Sequence, residues 1–158
     1  MIDTKWLLEH SEVTAASPAF VWRYWTDVTN WADPPARFTL DGPFEAGSRG
    51  VTAFPDREPF TWVIEEVQPG HSYTIGSELD GAVLLCHWRF DPLPGGGTRL
   101  TQRIGLAGRN AAQHAEGVRS GFEPTLAAGM KRIALQLSQA QARAEGADIH
   151  VRQGSDHT

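Results

Sequence analysis

The chain has 158 residues, a formal net charge of -5 and 41% hydrophobic residues. That length supports one core. The acidic balance, with Arg and Lys scattered and no basic stripe beyond the pair Lys131-Arg132, argues against a nucleic-acid partner. A single cysteine, Cys86, excludes an intramolecular disulfide and a thiolate zinc cluster. The first residues lack the cationic start and apolar run of a leader, and no stretch has the length to span a bilayer, so the expected compartment is the cytoplasm.

In chain order, Trp6 to Thr14 reads as a strand with imperfect alternation. Ser17-Pro18 then has the form of a helix N-cap followed by proline in the first turn. Phe20, Val21, Tyr24 and Trp25 supply the apolar stripe of that helix. Thr26-Asp27 opens a second short helix through Trp31, which Pro34-Pro35 ends. From Arg37 to Leu106 the texture changes to short β-branched and aromatic runs separated by Asp-Gly, Pro-Gly and Gly-Gly-Gly. Strands are predicted near 38–40, 50–54, 60–67, 72–78, 82–91 and 98–106, joined as an antiparallel meander. In the last two, Leu84, Cys86, Trp88 and Phe90 share one face, and Leu100, Gln102, Ile104 and Leu106 share another.

After Gly108 the period becomes helical. Asn110 is a candidate cap, and Ala115, Val118, Phe122, Leu126, Met130, Ile133 and Leu137 form a stripe that needs an apolar partner, which the sheet can supply. Pro124 falls within this pattern and should kink or break the helix. The expected organisation is one domain over 1–147 with a polar, disordered tail over 148–158.

Three segments carry a family resemblance: "SPAFVWRYWTDVTNW", "FTWVIEEVQPGHSYTI" and "HWRFDPLPGGGTRLTQRI". With their order, the chain resembles the START-like or SRPBCC superfamily from about Glu9 to Ala144, and within it the polyketide cyclase/dehydrase and lipid-transport family. The resemblance implies an α+β helix-grip fold, in which a curved antiparallel sheet of six or seven strands wraps a long C-terminal helix. It implies an internal cavity for an apolar or aromatic, polyketide- or lipid-like molecule. It carries over no catalytic motif, so three readings stay open: a cyclase or dehydratase moving protons, a non-catalytic carrier or sensor, and a protein-interaction domain like the chaperone activators of the superfamily. The state of assembly, monomer or homodimer, also stays open.

Six tryptophans suit either a core or the walls around a flat ligand. Trp62 and Trp88 are the first candidates for such walls, with Phe122 and Met130 facing them from the helix. Gln102 interrupts an apolar face, and a buried amide needs partners. Tyr73 offers a hydroxyl from a neighbouring strand, and His114 lies four residues before Val118, near the buried stripe. Tyr73, Gln102 and His114 are therefore the candidate catalytic groups. Arg57, in "FPDREPF", is a candidate for an anionic ligand group at a cavity rim, or an exposed loop cation. The histidines lack metal-ligand spacing, and the triglycine joins two strands instead of opening a helix, so neither a metal nor a nucleotide cofactor is expected.

Overall fold

The computed structural model of the chain describes residues 3–31 and 33–155. Seven strands are present: β1 (Thr4–Thr14), β2 (Arg37–Asp41), β3 (Arg49–Phe54), β4 (Arg57–Gln68), β5 (Ser72–Leu79), β6 (Ala82–Pro92) and β7 (Thr98–Ala107). All neighbours are antiparallel, in the order β1-β7-β6-β5-β4-β3-β2. Register irregularities at Trp6/Leu8, Thr52/Phe54 and Ile64/Glu66 mark where three strands bend, because an unpaired residue increases local twist and curvature.

Between β1 and β2 the chain forms α1 (Pro18–Trp25) and a single 3₁₀ turn, Val28–Asn30. The cap read from sequence is in place: Ser17 Oγ accepts from Phe20 N, with Pro18 in the first turn. Asp27 caps the 3₁₀ turn through Thr29 N. Phe20, Val21 and Trp25 are the buried side of α1.

The long helix α2 (Ala111–Ser155) lies across the concave face of the sheet. Val118 packs with Ile104 and Leu106, while Met130, Ala134 and Leu137 pack with Trp88, Phe90 and Leu100. Trp88 and the helical stripe therefore share one side of the sheet, as the alternation requires. Both ends of the cover are tied down. Thr14, 2% exposed, donates through Oγ1 to Ala134 O at 2.8 Å and lies 2.8 Å from Ser138 Oγ. Gln136 Nε2 donates to Asn30 O at 2.8 Å and to Tyr24 Oη at 3.1 Å. At the other end, Asn110 N and Nδ2 donate to Gly81 O and Asp80 O.

Pro124 does not break the helix, which is continuous on both sides of it. Residues 119–125 are all exposed, so the carbonyl that a proline leaves without its N–H partner faces water. The helix also continues through 148–155, where composition alone suggests a polar tail; residues 156–158 lie outside the described ones. No helix among the described residues is long and apolar enough to cross a membrane.

Candidate functional site

Because residues 119–125 stand clear of the sheet, α2 leaves an opening over the central strands. Beneath it is a cavity of about 300 Å³ lined by Trp25, Trp31, Tyr73, Cys86, Trp88 and Gln102 among others. A further lobe of about 170 Å³ continues between Trp62, Phe60 and Phe122. Trp31, Phe38, Ile75, Cys86 and Phe122 border both. Phe60 and Phe122, 41% and 39% exposed, form an apolar lip.

The walls form a connected set of rings. Trp31 is its centre: it stacks on Trp62 with centroids 5.5 Å apart and lies 5.5 Å from Trp25 and 5.6 Å from Phe38. Trp25 in turn lies 5.7 Å from Trp88. Hydrogen bonds hold three of the indoles at fixed angles: Trp25 Nε1 donates to Tyr73 Oη at 2.8 Å, Trp31 Nε1 to Trp25 O at 2.7 Å, and Trp62 Nε1 to Thr52 Oγ1 at 3.1 Å. Indole N–H groups satisfied in this way leave the apolar ring faces free to line a void. Gly50 makes the Trp62 position possible, since a Cβ there would lie 2.2 Å from the ring.

Few polar groups interrupt these walls. Tyr73 is 1% exposed, and burial, reinforced by nearby Cys86, holds its hydroxyl pKa well above the usual value despite the bond from Trp25. Burial likewise pushes the Cys86 thiol up to about 11. Both groups are therefore neutral at physiological pH and act as weak dipoles, not as bases. Gln102 Nε2 donates to Cys86 Sγ at 2.9 Å. At the mouth, Arg132 and Asp33 face each other at 3.6 Å, both largely exposed. Among the described residues no group of three His, Cys, Asp or Glu side chains converges as a metal site would require.

Residues 5–138 match the polyketide cyclase / dehydrase and lipid transport family. The chain belongs to that family. Its helix-grip architecture also recurs in solved structures. Norcoclaurine synthase of Thalictrum flavum, a point mutant bound to a transition-state analogue, superposes with a TM-score of 0.63 at 13% identity, covering 92% of this chain and 98% of that one. The Mycobacterium smegmatis protein Ms6760 is 21% identical with a TM-score of 0.58, covering 91% and 99%. A Staphylococcus aureus protein of unknown function is 11% identical with a TM-score of 0.63, covering 90% and 98%. At these identities the likeness is one of fold. No curated protein matches the chain.

Within this family member, the structure brings Tyr73, Trp88, Gln102 and Phe122 to the main cavity and Trp62 to its lobe. It places three other candidates elsewhere. Met130, 1% exposed, is buried in the core among Ala134, Leu137 and Leu100, because its turn of α2 has already closed onto the sheet. His114 stands at the β5–β6 turn, its Nε2 3.0 Å from Asp80 O, and helps fix the start of α2. Arg57 is exposed at the start of β4, with its guanidinium carbon 3.9 Å from the centre of the Phe54 ring. Other wall residues were not singled out as site candidates by sequence, among them Trp25, Trp31, Phe38 and Cys86. For Trp25 and Trp31 the signal was two tryptophans six residues apart around α1 and the 3₁₀ turn, which becomes informative only once those elements are known to close one end of the sheet.

Proposed function

We propose that the chain binds a small planar aromatic molecule between the sheet and α2. The observation that carries this reading is the set of hydrogen-bonded indoles around a void of about 300 Å³ and its adjoining lobe. Packed interiors rarely keep voids of that size, whereas ligand pockets are typically apolar and aromatic with few polar groups. Family membership supports the reading, since the family description covers cyclases, dehydrases and lipid transport. Flat, rigid walls suit ring faces better than a flexible acyl chain, which would lose rotamer entropy on entering.

The neutrality of Tyr73 and Cys86 speaks against either acting as a general base near neutral pH. The buried Tyr73 hydroxyl favours one catalytic variant. As a permanently protonated donor it would polarise a substrate carbonyl while the walls hold a flexible chain for ring closure. Calorimetric titration with 2-naphthol and with decanoate tests the main reading. Saturable 1:1 binding of the naphthol, and much weaker binding of the fatty acid, is expected. Preference for decanoate, or no heat from either, would overturn it.

A further inference from the structure

The sheet register arranges the cavity's polar groups in a line. Tyr73 pairs with Trp88, and Trp88 pairs with Gln102. The two polar residues therefore stand on either side of the Trp88 ring, two strand spacings apart, or about 9.5 Å between backbones. Their remaining hydrogen-bond capacities differ. Tyr73 Oη already accepts from Trp25 Nε1, and its own O–H has no acceptor among the described residues. A hydroxyl offers one donor beside its acceptor sites, so the free capacity at this end is a donor. Gln102 uses Nε2 on Cys86 Sγ. Its Oε1 and its second N–H have no partner among the described residues, so that end offers an acceptor beside a donor. Tyr73 is almost fully buried and Gln102 largely so, and both line the void. In walls that are otherwise apolar, these open capacities are where a ligand can gain directed hydrogen bonds.

From this we infer that the natural ligand is a fused-ring aromatic with a carbonyl at one end, accepting from Tyr73, and a hydroxyl at the other, which donates to Gln102 Oε1 and can accept from its second N–H. Its ring plane stacks along Trp88. This rests on the binding function proposed above and narrows it to a hydroxy-carbonyl class. The selectivity is built to reject molecules lacking either group, because each absence leaves a protein dipole unpaired. A two-ring skeleton substituted at opposite ends has the reach required.

Four probes test the pattern: 6-acetyl-2-naphthol with both groups, 2-acetylnaphthalene without the hydroxyl, 2-naphthol without the carbonyl, and naphthalene with neither. Affinities are read from quenching of tryptophan fluorescence. On the wild type, the first probe is expected to bind about five- to tenfold more tightly than either singly substituted one, the gain of one net hydrogen bond. In Tyr73→Phe the advantage of the carbonyl disappears and that of the hydroxyl remains. In Gln102→Leu the reverse holds. Should Gln102→Leu fail to fold, the wild-type ranking still decides. Equal affinity for all four probes, or advantages that survive their matching substitution, would overturn the inference while leaving the binding function intact. No binding by any probe, naphthalene included, would refute the binding function itself and this inference with it.

Discussion

Gly50→Ala probes the cavity wall without touching a polar group. Gly50 pairs with Trp62 across β3 and β4, and the indole lies flat on its Cα. A Cβ added there would sit 2.2, 2.3 and 2.4 Å from Cζ2, Cη2 and Cε2 of the ring, where ordinary contact begins at 3.4 Å. The ring must retreat by about 1.2 Å or more, judged from those two distances. One way out is toward Trp31, already stacked 5.5 Å away, and into the 170 Å³ lobe that Trp62 lines. Overpacking of this kind costs about 1–3 kcal/mol. For a chain of this size that lowers Tm by about 2–12 °C. Differential scanning calorimetry with a naphthol titration measures both consequences: a lower Tm and weaker binding. Gly95→Ala is the control, since nothing lies within 4 Å of a Cβ there and its φ is not positive. A Gly50→Ala protein with wild-type Tm and wild-type affinity would refute the claim that Trp62 is held as a fixed wall.

Trp88→Ala removes the wall at the middle of the polar line and should destabilise by about 3–5 kcal/mol, with loss of ligand quenching in whatever fraction remains folded by near-ultraviolet circular dichroism. Thr14→Val deletes the buried hydroxyl that joins β1 to Ala134 and Ser138; chemical denaturation should show a loss of about 1–3 kcal/mol. Cys86 should resist iodoacetamide at pH 8 about a hundredfold more than a free thiol, because a pKa raised from 9.0 to about 11 cuts the thiolate fraction in that proportion; labelling at the free-thiol rate would contradict its burial. On the opposite face of the sheet, His87 bonds to Thr74 Oγ1 through Nδ1, and burial followed by Arg103 holds its pKa below 6.5, with Glu66 opposing. A lowered folded-state pKa means that the unfolded chain takes up the proton first. This contribution is therefore intact above pH 6.5 and is lost as pH falls from there through the folded-state value. His87→Gln should flatten that part of the stability profile, measured by urea unfolding at stepped pH.

Much of the architecture is legible before any coordinates. The runs 72–78, 82–91 and 98–106 lie within a residue or two of β5, β6 and β7, since period-two alternation and glycine turns act locally. The same parity sets Tyr73, Trp88 and Gln102 on the concave side, and the register then places them in one row. Helical positions are harder to read. Met130 and Phe122 belong to one apolar stripe, but one is sealed in the core and the other stands at the lip, because periodicity gives the face of a helix and not its height above a curved sheet. His114 fails for a related reason: its side chain is near the stripe by angle yet reaches the Asp80 carbonyl at the helix start. Trp25 and Trp31 depend on how α1 and the 3₁₀ turn fold over the sheet, a long-range fact that no local spacing encodes. Pro124 shows tertiary contacts overriding propensity, since hydrogen bonds near both ends of the cover hold the helix through it.

The most direct test of the cavity as the binding site is a titration of ¹⁵N-labelled protein with 6-acetyl-2-naphthol, following the six indole N–H resonances. Trp25, Trp31, Trp62 and Trp88 line the void, whereas Trp6 lies on the outer face of the sheet against Gly105, beneath Arg103. The account predicts saturable shifts of those four signals with a common affinity and an unmoved Trp6. Shifts confined to Trp6, or four cavity indoles that stay still while ligand binds, would contradict it.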